Sequence, residues 1–403
     1  MSLLRMRGFN LILALFFLLS SIGISFYAHS SWQSWFLSLN QNITLLTLLI
    51  SVPFLSIPLV KGGFEPTLMA FYEKKIHSEG GYLGFSTLLT YLLGIFVNVA
   101  AVPLVLDLTD SQSKKYSSRL IAAAITRAYP ASLIFTPNSV AFGSVLYYMP
   151  VTWGQLAPGV LLLSFLFLGV GFIIERPSFA ALPMESAPET VIDWKKLGEL
   201  LLTGLVIIIA ILAIHYLLSI SVIESVPLVS LTLPFIWMFV KKKSFMIKTE
   251  FTKYVFSLCN LNNIIVIFAT AGCFAQAISI SGFDQMLSNF ILSINFLPQI
   301  VINLIFLLVF IVSSVIGIHP IASGVVLMTA IDPVSTGLST LRFAILILCG
   351  WGLAVAVSPV SVTNVLTAHR LDREAGEIGT LWNIPFALVT SLIVAIVLSI
   401  SSI

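Results

Sequence analysis

Charge is what this sequence has least of. Acidic and basic residues make up 9% of its 403 positions, against roughly 25% in a soluble domain. So few charges cannot cover a water-facing surface, which excludes a soluble globular protein. Cysteine is nearly absent. Cys259, Cys273 and Cys349 lie in or near apolar segments without paired spacing, which argues against a disulfide framework or a thiolate metal site and fits small buried hydrophobes. Catalytic signatures are missing: there is no phosphate-cradling Gly-Lys-Ser/Thr loop, no His-Glu-x-x-His and no paired-cysteine motif. An intramembrane hydrolase would have to use His319 with Ser313 or Ser314, and no second feature favours it. The expectation is a non-enzyme with no cofactor and no nucleic-acid partner.

What the chain has in abundance is hydrocarbon. Hydrophobic residues make up 58% of it, and the mean hydropathy is +1.05. This is an integral membrane protein. Apolar runs fall near 9–28, 43–60, 82–108, 118–149, 154–174, 197–218, 223–240, 260–281, 297–331, 340–369 and 379–402. The first is long for a signal-peptide core and is taken as a retained span.

Basic residues set the topology. Arg5 and Arg7 precede the first run; Lys61, Lys74 and Lys75 follow the second; Lys114, Lys115 and Arg119 follow the third. Arg176, Lys195 and Lys196 lie between 154–174 and 197–218, Lys241–Lys243, Lys248 and Lys253 follow 223–240, and Arg370 and Arg373 precede the last run. Residues 29–42, 150–153 and 282–299 carry no Lys or Arg. If every run crosses, the cluster at 114–119 lands on the side of the uncharged 29–42 loop. If 82–108 and 297–331 each enter and return on one face, every basic cluster is cytoplasmic. The expectation is about nine transmembrane helices, two re-entrant hairpins and a cytoplasmic N-terminus. Loop charge and brevity suit a bacterial plasma (inner) membrane.

Polar residues interrupt the apolar runs in a repeated pattern. Thr136-Pro137-Asn138-Ser139-Val140 and Ser358-Pro359-Val360-Ser361-Val362 share a hydroxyl-Pro-x-Ser-Val pentad. Each proline removes an amide donor and clashes with the preceding turn. The hairpins carry polar tips at Asn98 and at Ser313, Ser314, Gly317 and His319. Irregular backbone at membrane depth is tolerated only where protein or a wet cavity receives its polar groups. Each half thus contains a hairpin, a broken span and a plain span. The hairpins enter from opposite faces, which makes an inverted repeat of the kind secondary transporters use. The division is 1–175 for the first repeat, 176–222 for the linker and connecting span, and 223–403 for the second repeat. Two amphipathic stretches, "KGGFEPTLMAFYEKKIHSEGG" and "KKKSFMIKTEFTKYVFS", occupy equivalent places in the two halves and suit the headgroup region.

"RAYPASLIFTPNSV", Arg127–Val140, resembles the fifth-helix segment of the divalent anion/sodium symporter family. "FVNVAAVPLVL" resembles that family's first hairpin tip, with Val97-Asn98-Val99 where the family has Ser-Asn-Thr. "FATAGCFAQAISISGFDQML" resembles the Gly-rich span before the second hairpin, shared with arsenite exporters and tripartite-carboxylate permeases of the wider ion transporter superfamily. The resemblance implies an all-α, elevator-type homodimer that moves a small anion, an organic carboxylate, with sodium or protons. Carried onto this chain, it implies a pocket of Asn98, Thr136, Asn138, Ser139, Ser313, Ser314, His319, Ser358, Ser361, Thr363 and Asn364, with a bound sodium at the same residues. Arg127 is a candidate anion contact, since intramembrane charge is functional by default. The plain alternative for each hydroxyl is a bond back to its own helix, and for Arg127 a snorkelling side chain. Two other readings stand beside this one. One is a metalloid or oxyanion exporter or cation/proton antiporter; the other is a non-transporting sensor or assembly factor on a transporter-like scaffold.

Overall fold

The computed structural model describes residues 9–31, 33, 42–109, 115–180, 191–293 and 296–400. Arg5, Arg7, Lys114 and the middle of the 176–196 linker lie outside them. The described residues are helical, with no strand. The first half runs α1 Phe9–Tyr27, α2 Ile43–Val60, α3 Glu65–Lys75, α4 Glu79–Val97, α5 Ala101–Thr109, α6 Ser118–Thr126, α7 Ala128–Leu133, α8 Val140–Tyr148 and α9 Trp153–Glu175. The rest runs α10 Trp194–Leu218, α11 Val222–Val240, α12 Ile247–Ser257, α13 Asn262–Ser281, α14 Phe283–Ser293, α15 Gln299–Val315, α16 Pro320–Ala330, α17 Thr340–Val357, α18 Val362–Leu371 and α19 Asn383–Ile400.

Helix starts follow the capping chemistry. Ser78, Ser117 and Ser339 accept amide bonds at the heads of α4, α6 and α17. Thr152 with Gln155 and Ser221 with Glu224 form capping boxes on α9 and α11. Breaks follow proline. Pro130 has no amide for the Thr126 carbonyl, and the helix steps between α6 and α7 at Arg127. The run 118–149 is therefore three pieces, one more than a single pentad break predicts.

Eight helices among the described residues are long and apolar enough to cross a membrane. Seven match expected spans. The eighth, Glu79–Thr109, covers both arms of the first hairpin, of which α4 has 19 residues by itself. The remaining expected spans are α1 and the interrupted α6–α8. Both hairpins fold back. Beyond α5 the chain returns to stack Tyr116 on Tyr82, ring centroids 4.2 Å apart. In the second, the Ser313 and Ser323 hydroxyls meet at 2.8 Å, and Gln299 donates to the Thr336 carbonyl at 3.0 Å. Left-handed backbone makes the tips, at Asn98 (φ 55°) and Gly317 (φ 93°).

The pairing of the amphipathic stretches needs correction. A third such helix, α14, directly precedes the second hairpin. It holds the place that α3 holds before the first, whereas α12 precedes a full span. The apolar run ending at 281 stops at Gly282 (φ 71°), and α14 begins one residue later.

Packing distinguishes centre from rim. In the most apolar stretch of α17 and its continuation, 83% of residues are buried, against 22% in α10. So α17 is the core and α10 faces outward to lipid. Small residues let α17 fit. A Cβ on Gly350 would lie 2.3 Å from the Phe310 ring, and one on Gly352 would lie 2.7 Å from Ile134, the close approach that small residues allow between membrane helices. Gly350→Val should destabilise the protein by about 1–3 kcal/mol, the usual cost of overpacking. Melting in detergent checks this, with Gly169→Val, at an open position, as the control.

Candidate functional site

The two hairpin tips and the two breaks meet around one cavity of about 250 Å³. Val97–Ala100 come from the first tip and His319–Ile321 from the second; Asn138, Ser358 and Val360–Thr363 come from the breaks. Tyr129 and Trp351 add aromatic walls, and Leu49–Ser56 of α2 with Leu261 and Ile264 close the remaining side. No Asp, Glu, Lys or Arg lines it.

Each break is built to satisfy the carbonyls its proline frees. Pro137 leaves the Leu133 carbonyl without its helical amide, and the Ser139 hydroxyl donates to it at 2.7 Å. Ser139 also accepts the Phe142 amide and so caps α8. Pro359 does the same to Val355, whose carbonyl receives the Asn364 amide at 3.4 Å. That amide also reaches Ala356 at 2.9 Å and Ser358 at 2.8 Å. Asn383 and Thr380 supply further donors to Ala356 and Val357. Across the halves the logic is the same, but the targets differ. Asn138 sends its amide to Ile95 and Phe96, the carboxyl end of α4, at 3.1 and 3.2 Å. Thr136 supports it with contacts to the Ile95 carbonyl at 2.7 Å and to Asn138 Oδ1 at 2.9 Å. Asn98 closes the loop by donating to the Asn138 carbonyl at 3.1 Å while accepting from Tyr129 at 2.6 Å.

Of the expected residues, Asn98, Asn138, His319, Ser358, Ser361 and Thr363 line the cavity. Thr136, Ser139 and Asn364 stand behind it, turned onto backbone carbonyls. Ser313 pairs within its own hairpin, and Ser314 points to the Ile318 carbonyl at 3.4 Å. Arg127 is placed elsewhere. Its guanidinium donates to Asn383 Oδ1 (2.9 Å), the Gly171 carbonyl (3.1 Å), the Trp382 carbonyl (3.1 Å) and Glu175, and it lies over the Phe386 ring. These partners occupy it and it is absent from the cavity wall, so the anion contact expected of it is replaced by a clamp between α7, α9 and α19. Tyr129 and Trp351 were missed by sequence reasoning. Tyr129 lies inside the quoted "RAYPASLIF" stretch, where its spacing from the break was the available signal.

Helix ends decide the electrostatics. The N-termini of α8, α16 and α18 begin at the cavity, capped by Ser139, His319 and Ser361. α5 starts just after the lining residue Ala100. These ends carry partial positive charge. The carboxyl ends of α4 and α17 carry the opposite sign, but the amides of Asn138, Asn364 and Asn383 cover their carbonyls. His319 accepts the Ile321 amide at Nδ1, 3.3 Å, so a neutral ring carries its proton on Nε2. Three buried oxygens on one face of α18 have no partner among the described residues: Thr363 Oγ1, Asn364 Oδ1 and Thr367 Oγ1.

No protein-family model matches the chain, and no curated protein sequence does. Among solved structures, the chain is similar to the crystal structure of the Alcanivorax borkumensis YdaH transporter. The TM-score is 0.63 at 15% identity, covering 91% of this chain and 87% of that one. The chain shares a membrane transporter's fold. That protein is described as having an unusual topology.

Proposed function

We propose that the protein is a secondary active transporter of a small organic anion, built as two inverted repeats. One observation carries the reading: helix N-termini open onto an uncharged cavity while the facing carboxyl ends are covered by side-chain amides. The net field then favours an anion without any cationic side chain. The lining is otherwise apolar and aromatic, which fits a monocarboxylate with an apolar body better than a di- or tricarboxylate. Charge beyond one unit would find no partner there and would remain costly to desolvate.

The repeat is supported by reciprocal packing. α1 lies along α13 as α11 lies along α2, and α8 packs on α16 as α18 packs on α5. Exchanging the halves exchanges these contacts. An elevator motion, a homodimer and a bacterial inner-membrane location with a cytoplasmic N-terminus complete the proposal. For coupling, Thr363 Oγ1, Asn364 Oδ1 and Thr367 Oγ1 are hard oxygen donors of the kind sodium prefers. His319 is the group suited to protons.

The test is uptake into proteoliposomes of labelled mono-, di- and tricarboxylates, with and without sodium or proton gradients. Gradient-driven uptake of ring-bearing or branched monocarboxylates is expected. In Thr363→Val, uptake should fall about tenfold, equivalent to about 1.4 kcal/mol, from the loss of one of the three oxygen donors to the coupling ion. Its melting temperature should hold, because the hydroxyl has no partner to lose. No uptake of any carboxylate would turn the search to inorganic oxyanions, exchange or a sensor role.

A further inference from the structure

We infer that the lysine-rich end of α10, α11 and α12 is a binding site for an anionic phospholipid headgroup. Contacts draw this end together. Lys196 donates to the Gly62 carbonyl at 3.3 Å, and Lys243 to the Lys61 carbonyl at 2.7 Å. The Lys243 amine also sits 5.3 Å above the Trp237 ring.

The acids in the cluster are already engaged. Glu199 is held between Lys196 and Lys241. Glu250 faces Lys61 at 3.8 Å and Lys253 at 3.1 Å, and Asp193 caps the amides of Lys195 and Lys196. Lys242 and Lys248 are exposed and have no partner among the described residues. Lys242 sits at φ 55°, the turn that sends the chain from α11 towards α12. The surplus charge is therefore positive and solvent-facing.

The surroundings choose a lipid over a soluble anion. The cluster caps two apolar spans of 25 and 19 residues, so it lies where the hydrocarbon ends. α12 is seated by Ile247, Glu250 and Tyr254, with the Tyr254 hydroxyl donating to the Ile50 carbonyl at 2.8 Å. The flank beside that seat presents Lys248 and Val255 to the outside, while the partly exposed Phe251 packs back on Phe54 and Phe235. Phe245 and Phe256 flank the helix at 80% and 71% exposure. Lysines interleaved with exposed aromatics suit a surface that is anionic above and apolar below.

The test uses the purified full chain in neutral detergent with equal phosphatidylglycerol and phosphatidylcholine, retained lipid being read by native mass spectrometry. Phosphatidylglycerol should be retained at least about thirtyfold over phosphatidylcholine, and high salt should release it. Lys242→Gln/Lys248→Gln should lower that retention about thirtyfold, the loss for two lysines at an anionic surface, with melting in phosphatidylcholine unchanged. Inorganic phosphate should displace the lipid no better than chloride of equal ionic strength. Equal retention of the two lipids, unaltered retention in the variant, or specific displacement by phosphate would each overturn the assignment.

Discussion

Asn138→Ala will lower stability by about 3 kcal/mol and abolish transport. The side chain is 1% exposed, and its amide serves two carbonyls at the end of α4. Each carbonyl left unsatisfied in a buried setting costs about 1–3 kcal/mol. Alanine orphans the Phe96 carbonyl and leaves the Ile95 carbonyl only the Thr136 hydroxyl, which puts the loss at the upper end of that range. The same change uncovers the negative end of α4 beside the cavity, so the field proposed to favour an anion would weaken. Asn138→Asp should be worse on both counts: it removes the same donor and sets a buried carboxylate against the Ile95 and Phe96 carbonyls, so it should melt at least as low as the alanine variant and bind anion worst. Melting and uptake read together check this. An alanine variant that melts like wild type and still transports would mean that the tip is held by Thr136 alone.

Asn364 invites comparison. Its amide reaches Val355, Ala356 and Ser358 of its own broken helix, whereas Asn138 reaches across to a hairpin. The first hairpin is therefore stitched to its neighbouring break by side chains. The second tip relies on His319, which caps its own arm.

Much of this was legible in the sequence because few physical constraints govern it. Scarce charge set the solvent, and proline placed both breaks. Grouped lysines separated two hairpins from the crossing spans, since a hairpin and a span place the next basic cluster on opposite sides. The direction of each polar side chain was not legible. Ser139 and Thr363 read alike in a list of hydroxyls, yet one closes a carbonyl and the other faces the cavity. Helical phase and the partner's backbone decide that, and neither is local. Arg127 failed for the same reason. Nothing near it announces Glu175, 48 residues on, or Asn383, 256 residues on. The amphipathic pairing failed because α14, in "GFDQMLSNFILS", lacks the lysines that marked the other two helices.

Arg127→Met should be among the most damaging single changes in the chain. The Arg127 side chain is 2% exposed and Glu175 is 6% exposed. Breaking a buried ion pair by removing one partner costs about 3–5 kcal/mol, because the surviving charge stays desolvated. Here Arg119 also contacts Glu175, at 3.0 Å, but its side chain is half exposed and such a pair is worth about 0–1 kcal/mol. Arg119 cannot replace what Arg127 provides. Two carbonyls, of Gly171 and Trp382, lose donors as well, and the second belongs to the π-helical turn leading into α19. The expected result is a fall in melting temperature of roughly 10 °C or more. Arg127→Met/Glu175→Gln removes the stranded carboxylate and should recover about half of that loss. If the double variant is no better than the single, the carbonyl contacts and the Phe386 stacking hold the clamp, and the ion pair is incidental. If Arg127→Met melts like wild type but loses uptake, the guanidinium serves the solute after all, reached in a conformation where the clamp is open.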